Sequence, residues 1–299
     1  MSHELYTSEA LIGDDYEAMA LEESLREGQG TCIGIDSKEY YVHMHGDKHG
    51  VPLICFHGFG EDGRTWDQLT LPGFRIYAID MMGHGKTSVP WSPASYDSDI
   101  ILDDLQFLCT VISRRKPFVL LGYSMGGRLA LQMALEYPDL PYRALILESA
   151  SPGIKDRHDR LQRCIKDAGL AARIESHGAI WFANYWEKLP IFETQRHLPP
   201  AVQAAIRQRR CEVSPHGLAG MLRGAGQGMF LYAGNKMNRL KMPTLYISGE
   251  LDEKYDTIRR EVYAQWPNIT TTSVAGAGHN VHVEKPEEFA EIVGLFLGC

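Results

Sequence analysis

The sequence predicts an α/β protein: a mostly parallel central sheet, helices on both of its faces, and a block of helices inserted between two strands. Three observations predict this. Short, largely apolar runs at 51–56, 118–123 and 144–149 read as buried strands. Stretches with helical spacing alternate with them, as at Ile100, Ile101, Leu105, Leu108 and Ile112. From residue 154 to about 240 the alternation stops, and Leu, Ile, Trp and Arg recur at helical spacing with no strand-like run. Strands alternating with helices imply right-handed crossovers, and ligands in such sheets bind at the carboxyl ends of the strands.

Taken in order, residues 1–30 are rich in Glu and poor in aromatics, with helical spacing at Leu11, Met19, Leu21 and Leu25. They read as an N-terminal helical extension whose role the residues do not state. Residues 39–45 alternate like an antiparallel edge strand closed by Gly46 and Asp47. The buried strand 51–56 ends in His57-Gly58-Phe59-Gly60, and the strand 74–80 is followed by a Gly-rich loop, 81–86. A helix over 98–113 stops before Pro117, strand 118–123 leads into a helix from 125 to about 137, and Pro138 ends it. Strand 144–149 closes the first half. Pro190, Pro199, Pro200 and Pro215 punctuate the insertion into three to five helices. The alternation then returns: strand 244–248, helix 254–265, strand 269–274 and helix 286–297. The expected organisation is an α/β core of residues 31–153 and 241–299, a helical lid insertion at 154–240, and the extension.

Composition narrows the function. A hydrophobic content of 44% and 23% charged residues suit a globular chain with a sizeable core. A net charge of −8 argues against nucleic acid or an anionic membrane as partner. Cys32, Cys55, Cys109, Cys164, Cys211 and Cys299 show no CxxC spacing, and several sit in apolar runs. Buried thiols in a reducing compartment are expected rather than disulfides or a metal site. The acidic start has neither a basic region nor an apolar one, and no stretch approaches the roughly 18 residues that span a bilayer. The expected setting is cytoplasmic; oligomeric state is not indicated.

The chemistry gathers at the strand ends. Strand 118–123 ends in Gly122-Tyr123-Ser124-Met125-Gly126-Gly127, the strand–turn–helix pattern that lifts a serine hydroxyl above a parallel sheet. Gly122 and Gly126 flank Ser124 where a tight turn leaves no room for a Cβ. Asp252 follows strand 244–248 and His279 follows strand 269–274. Alone, Asp252 reads as a helix N-cap and His279 as a loop histidine. Together, in the order Ser124, Asp252, His279, they read as nucleophile, orienting acid and base. The N–H groups of Phe59 and Met125 are the candidate donors for an oxyanion. His57 and His84 lie in HG and GHG turns whose spacing fits no metal, so they read as structural.

Over about residues 38–298 the chain resembles the α/β-hydrolase superfamily. A closer resemblance rests on Gly122–Arg128 (GYSMGGR), Leu147–Gly153 (LESASPG), Phe182–Phe192 (FANYWEKLPIF) and Gly249–Lys254 (GELDEK). These are similar to the 2-succinyl-6-hydroxy-2,4-cyclohexadiene-1-carboxylate synthases of menaquinone and phylloquinone biosynthesis. The resemblance implies a lyase that expels pyruvate from a small polycarboxylate, 2-succinyl-5-enolpyruvyl-6-hydroxy-3-cyclohexene-1-carboxylate, with no cofactor and no metal. It implies substrate contacts at Tyr123, Arg128, Arg163, Arg210, Trp186 and Phe192. A substrate with three carboxylates needs guanidinium groups, and the insertion supplies Arg157, Arg160, Arg163, Arg173, Arg207, Arg209 and Arg210. Any one of these also reads as a solvated helix face, and Trp186 and Phe192 as insertion core. The competing function is a serine hydrolase, a carboxylesterase or carbon–carbon bond hydrolase, on the same three residues; a hydrolase-fold binding protein is the third reading.

Overall fold

The computed structural model describes residues 5–6, 23–25 and 28–299. Nine strands form one sheet: β1 (Leu5–Tyr6), β2 (Gly30–Ile35), β3 (Lys38–Gly46), β4 (Val51–Phe56), β5 (Phe74–Ile79), β6 (Phe118–Tyr123), β7 (Tyr142–Glu148), β8 (Thr244–Gly249) and β9 (Ile269–Val274). Their spatial order is β1-β2-β3-β5-β4-β6-β7-β8-β9. β3 is antiparallel to both β2 and β5, while β5, β4, β6, β7, β8 and β9 pair in parallel. β3 is therefore interior to the sheet, against the edge position its alternation suggested. Its outer neighbour β2 carries Gly30 and Gly34, and no element is assigned to it from the sequence. Gly30 is needed there because a Cβ would lie 2.1 Å from the Tyr41 hydroxyl. The helix expected over Leu11, Met19 and Leu21 lies outside the described residues, and Leu25 is buried.

The core follows from period 2. Ile54 and Phe56 of β4 join one apolar cluster with Leu120, Leu129 and Leu105. Leu53 and Cys55 point the other way, into a cluster with Val119, Leu121, Phe289 and Val293. Helices α1 (Ser98–Ser113) and α2 (Met125–Glu136) cover the first face. The C-terminal α8 (Pro286–Leu297) covers the second. Between β7 and β8 run α3 (Arg157–Trp186), a 3-10 segment (Pro190–His197), α4 (Pro200–Glu212) and α5 (Pro215–Ala225). Gly178, at φ 83°, breaks α3 in two. Ala171, Ile174, Phe182, Leu218 and Leu222 give this insertion an apolar cluster of its own. It seats on the strand-end loops, where the Gly217 and Gly83 backbones meet so closely that a Cβ on Gly217 would lie 2.2 Å from Gly83 O. α6 (Glu253–Glu261) follows β8, and the single turn α7 (Val281–Glu284) precedes α8. No helix among the described residues is long and apolar enough to cross a membrane.

Candidate active site

Ser124 stands between β6 and α2 with its backbone at φ 52°, ψ −105°, a conformation that costs a non-glycine residue about 1–3 kcal/mol. Neighbouring strands and close packing hold it there. Its N–H donates to Glu148 O on β7 at 2.8 Å. A Cβ on Gly122 would lie 2.5 Å from Gly126 O, and one on Gly126 would lie 2.3 Å from Phe56 O. Both glycines are thus required by the proximity of other backbone, and the strained angle falls on the serine itself.

Ser124 Oγ lies 2.9 Å from His279 Nε2, and His279 Nδ1 lies 2.6 Å from Asp252 Oδ2. His279 and Asp252 are both buried. With Asp252 as acceptor, Nδ1 carries the proton and Nε2 is free to accept one from Ser124. Asp252 also caps α6, accepting from Tyr255 N–H at 3.4 Å, so the N-cap reading and the orienting reading both hold for one carboxylate. Phe59 and Met125 line the same cavity as Ser124, and neither backbone N–H donates to a backbone acceptor among the described residues. Two unspent donors beside a serine oxygen can stabilise an oxyanion.

The cavity above Ser124 has a volume of about 210 Å³. Tyr123, Arg128, Arg163, Trp186 and Phe192 all line it. Arg128 is only 8% exposed. Its Nη2 donates to Ala225 O at 3.2 Å, its Nε has no partner, and it forms no ion pair among the described residues. Burial, and secondly the nearby Arg163, pull its pKa down to about 10. Arg163 is half-buried and already engaged: its Nε donates to Asp167 at 2.8 Å, and Nη1 donates to Gln227. Trp186 and Phe59 stand 5.3 Å apart and Phe192 lies 5.9 Å from His279, so the apolar wall comes from the insertion.

Arg210 is placed differently. It is 2% exposed, stacks over the Phe192 ring at 4.7 Å, donates to Gln195 at 3.1 Å, and lines a neighbouring cavity of about 340 Å³. Phe192 lines both cavities, and Arg210 is near enough to Tyr123 and Glu61 to interact with them electrostatically. Arg157 and Arg173 are exposed, and Arg207 pairs with Glu187 at 2.7 Å. Three polar lining residues went unread in the sequence: Lys254 and Tyr255, two and three residues past Asp252, and Gln227 in the loop after α5. Proximity to Asp252 was the only available signal for the first two, and Gln227 gave none.

The two turn histidines have their nitrogens committed. His57 donates from Nδ1 to Gly58 O at 2.8 Å and accepts Met81 N–H on Nε2 at 2.9 Å. His84 donates to Met82 O at 3.0 Å and accepts Gly60 N–H at 3.2 Å. Burial, then His57, push the His84 pKa from 6.5 down to about 3. Between those two values the unfolded chain binds a proton that the folded chain refuses, so stability present above pH 6.5 drains away as pH falls toward 3. Melting temperatures across that window should fall less steeply for His84→Gln than for the unmodified protein; parallel slopes would remove His84 from the account.

His43, Asp62 and Asp80 bring ligand atoms within 4.8 Å of one another. Their lone pairs are engaged elsewhere: Asp62 binds Arg64 through both oxygens, and Asp80 accepts the N–H groups of Gly63 and Lys86. The cluster is therefore a loop clasp with protein donors of its own.

Residues 51–286 match the family model described as alpha/beta hydrolase fold. A Bacillus subtilis (strain 168) protein, provisionally named a 2-succinyl-6-hydroxy-2,4-cyclohexadiene-1-carboxylate synthase, is 36% identical over 264 residues, or 88% of this chain and 96% of that one. The synthase of that name from Salmonella paratyphi B (strain ATCC BAA-1250 / SPB7) is 29% identical, covering 85% of this chain and 98% of its own length. Among solved structures, MenH from S. aureus superposes with a TM-score of 0.80 at 33% identity, covering 86% of this chain and 97% of that one. A Thermogutta terrifontis esterase, solved with malate bound, gives 0.73 at 25% identity, covering 87% and 93%.

Proposed function

The chain belongs to the alpha/beta hydrolase fold family and, within it, to the 2-succinyl-6-hydroxy-2,4-cyclohexadiene-1-carboxylate synthases, and we infer from this that it is a lyase of menaquinone-type quinone biosynthesis. Its reaction eliminates pyruvate from 2-succinyl-5-enolpyruvyl-6-hydroxy-3-cyclohexene-1-carboxylate. The observation that carries the substrate class is Arg128, a buried guanidinium lining the cavity with Ser124 and forming no ion pair among the described residues. A buried unpaired cation is costly, and an anionic substrate group relieves that cost on binding. Arg163 adds a second positive charge at the same wall. Arg210, stacked on Phe192 and within electrostatic reach of Tyr123, adds a third positive charge close to that wall.

In this reading Ser124, His279 and Asp252 form a catalytic triad that works as a base. His279, held in one tautomer by Asp252, takes the Ser124 proton, and the serine oxygen removes the ring hydrogen next to the succinyl ketone. The electron pair first rests on the ketone oxygen, stabilised by the Phe59 and Met125 N–H groups. It then returns through the ring double bond to form the diene, expelling the enolpyruvyl oxygen as pyruvate enolate; the enolate takes up the proton left on His279 and becomes pyruvate, which restores the base. Neither an acyl-enzyme nor water enters, and no metal or cofactor is called for. The unpaired cysteines fit a reducing, cytoplasmic setting.

The test is pyruvate release from the enolpyruvyl substrate, coupled to lactate dehydrogenase. Pyruvate formed stoichiometrically with the diene supports the lyase. Purified protein that releases none, yet rapidly hydrolyses simple aryl esters, would instead be a serine hydrolase like the esterase neighbour.

A further inference from the structure

Glu148 is the last residue of β7 and is wholly buried. Its only ion-pair partner among the described residues is His282, three residues beyond the candidate base. Oε2 meets His282 Nδ1 at 2.7 Å, and Oε1 accepts the His282 backbone N–H at 3.0 Å. The far ring nitrogen, Nε2, meets Thr65 Oγ1 at 2.9 Å, and the ring stacks on Trp66 at 4.0 Å. The same residue's carbonyl oxygen accepts the Ser124 N–H. One residue therefore grips both partners: its backbone holds the nucleophile turn, and its side chain holds the turn that presents His279. Tyr123 fills the space between, its ring 5.3 Å from His279 and 5.1 Å from His282. Two other carboxylates steady the remainder of that loop. Glu284 accepts the N–H groups of Gly278 and Asn280, on either side of His279, and Glu61 accepts from Asn280 Nδ2.

We propose that Glu148, acting through His282, is a positioning residue that fixes His279 Nε2 within reach of Ser124 Oγ. Desolvating a carboxylate costs several kcal/mol unless its partners restore what water supplied. Here those partners are two N–H groups of one residue in the base-bearing loop, so the pair holds one rotamer, one tautomer and one loop position at once. Outer groups that orient a reacting side chain are typically worth 10- to 100-fold in activity. Glu148→Gln keeps the volume but presents an amide N–H to one of two donors. Either the His282 ring must switch tautomer or the loop must shift.

The inference rests on the triad and not on the substrate. Its test therefore reads Ser124 directly, as the second-order rate of labelling by a fluorophosphonate, alongside kcat and KM for pyruvate release and the melting temperature. Glu148→Gln, assayed well below its melting temperature, should label about 10- to 100-fold more slowly, with kcat reduced in step and KM within about twofold. His279, in the same variant, should lose the sharp low-field proton resonance of the Nδ1–H bonded to Asp252. A folded variant with labelling and kcat within about twofold of the unmodified protein overturns the proposal, whatever its melting temperature does. Should Glu148→Gln fail to fold, the near-isosteric Thr65→Val frees only the distal ring nitrogen of His282. Slower labelling then supports the proposal, and an unchanged rate overturns it. Absence of pyruvate release by the unmodified protein would sink the synthase reading while leaving the labelling comparison intact.

Discussion

Ser124→Ala is expected to lower pyruvate release by about 100- to 10,000-fold, the range over which a positioned base contributes to proton transfer. The substitution removes the oxygen that lies 2.9 Å from His279 Nε2 while leaving the cavity cations and apolar wall in place. Substrate affinity should therefore hold, and equilibrium binding to Ser124→Ala should match KM for the unmodified protein within a few-fold. Removal of the hydroxyl also relieves nothing at the elbow, because the positive φ belongs to the backbone and alanine inherits it. The measurement is a single-turnover rate with the coupled assay. Full activity in Ser124→Ala would transfer the base role to His279 acting directly on the ring, and the serine would become a spectator.

The fold and the residues that meet as Ser124, His279 and Asp252 were legible because each element and each strand-end position rests on local sequence physics. β4, β6, β7 and β8 are mostly apolar, as strands covered on both faces are, and the loops after them are rich in glycine or small polar residues. Ser124 sits just past β6 and Asp252 just past β8, while His279 follows the Thr-rich β9. β2 escaped because Gly30 and Gly34 dilute its strand pattern, while a Cβ on Gly30 would meet the Tyr41 side chain of the next strand, a tertiary contact. Arg128 was readable for the same reason as Ser124, lying one helical turn below it on α2. Arg210 was singled out through the resemblance, and the structure sets it against Phe192 and Gln195 in the cavity next to the one over Ser124. Glu148 hid at the end of an apolar strand, where its carboxylate had no partner within reach in sequence; His282 lies 134 residues away.

Arg128→Met makes the sharper prediction, because activity and stability should move in opposite directions. Losing one partner of a buried charge pair costs about 2–5 kcal/mol, or roughly 30- to several-thousand-fold in kcat/KM at 1.4 kcal/mol per decade, if the substrate's carboxylate seats on this guanidinium. In the free protein the same group is a liability: 8% exposed, without an ion pair, its Nε unpartnered, and its pKa drawn down to about 10 chiefly by burial. Methionine fills similar volume among Phe230, Met221 and Leu222 with no charge to desolvate, and replacing buried charges by apolar side chains is commonly neutral or stabilising. The melting temperature of Arg128→Met should accordingly equal or exceed that of the unmodified protein. Fluorophosphonate labelling of Ser124 should be little changed, since a neutral probe makes no demand on the cation. Arg128→Lys should recover only part of the lost kcat/KM, because an ammonium cannot grip a carboxylate in the planar two-point manner of a guanidinium. If Arg128→Met retains full kcat/KM for the enolpyruvyl substrate, the cation serves the fold rather than the substrate, and the polycarboxylate reading loses the observation that carries it.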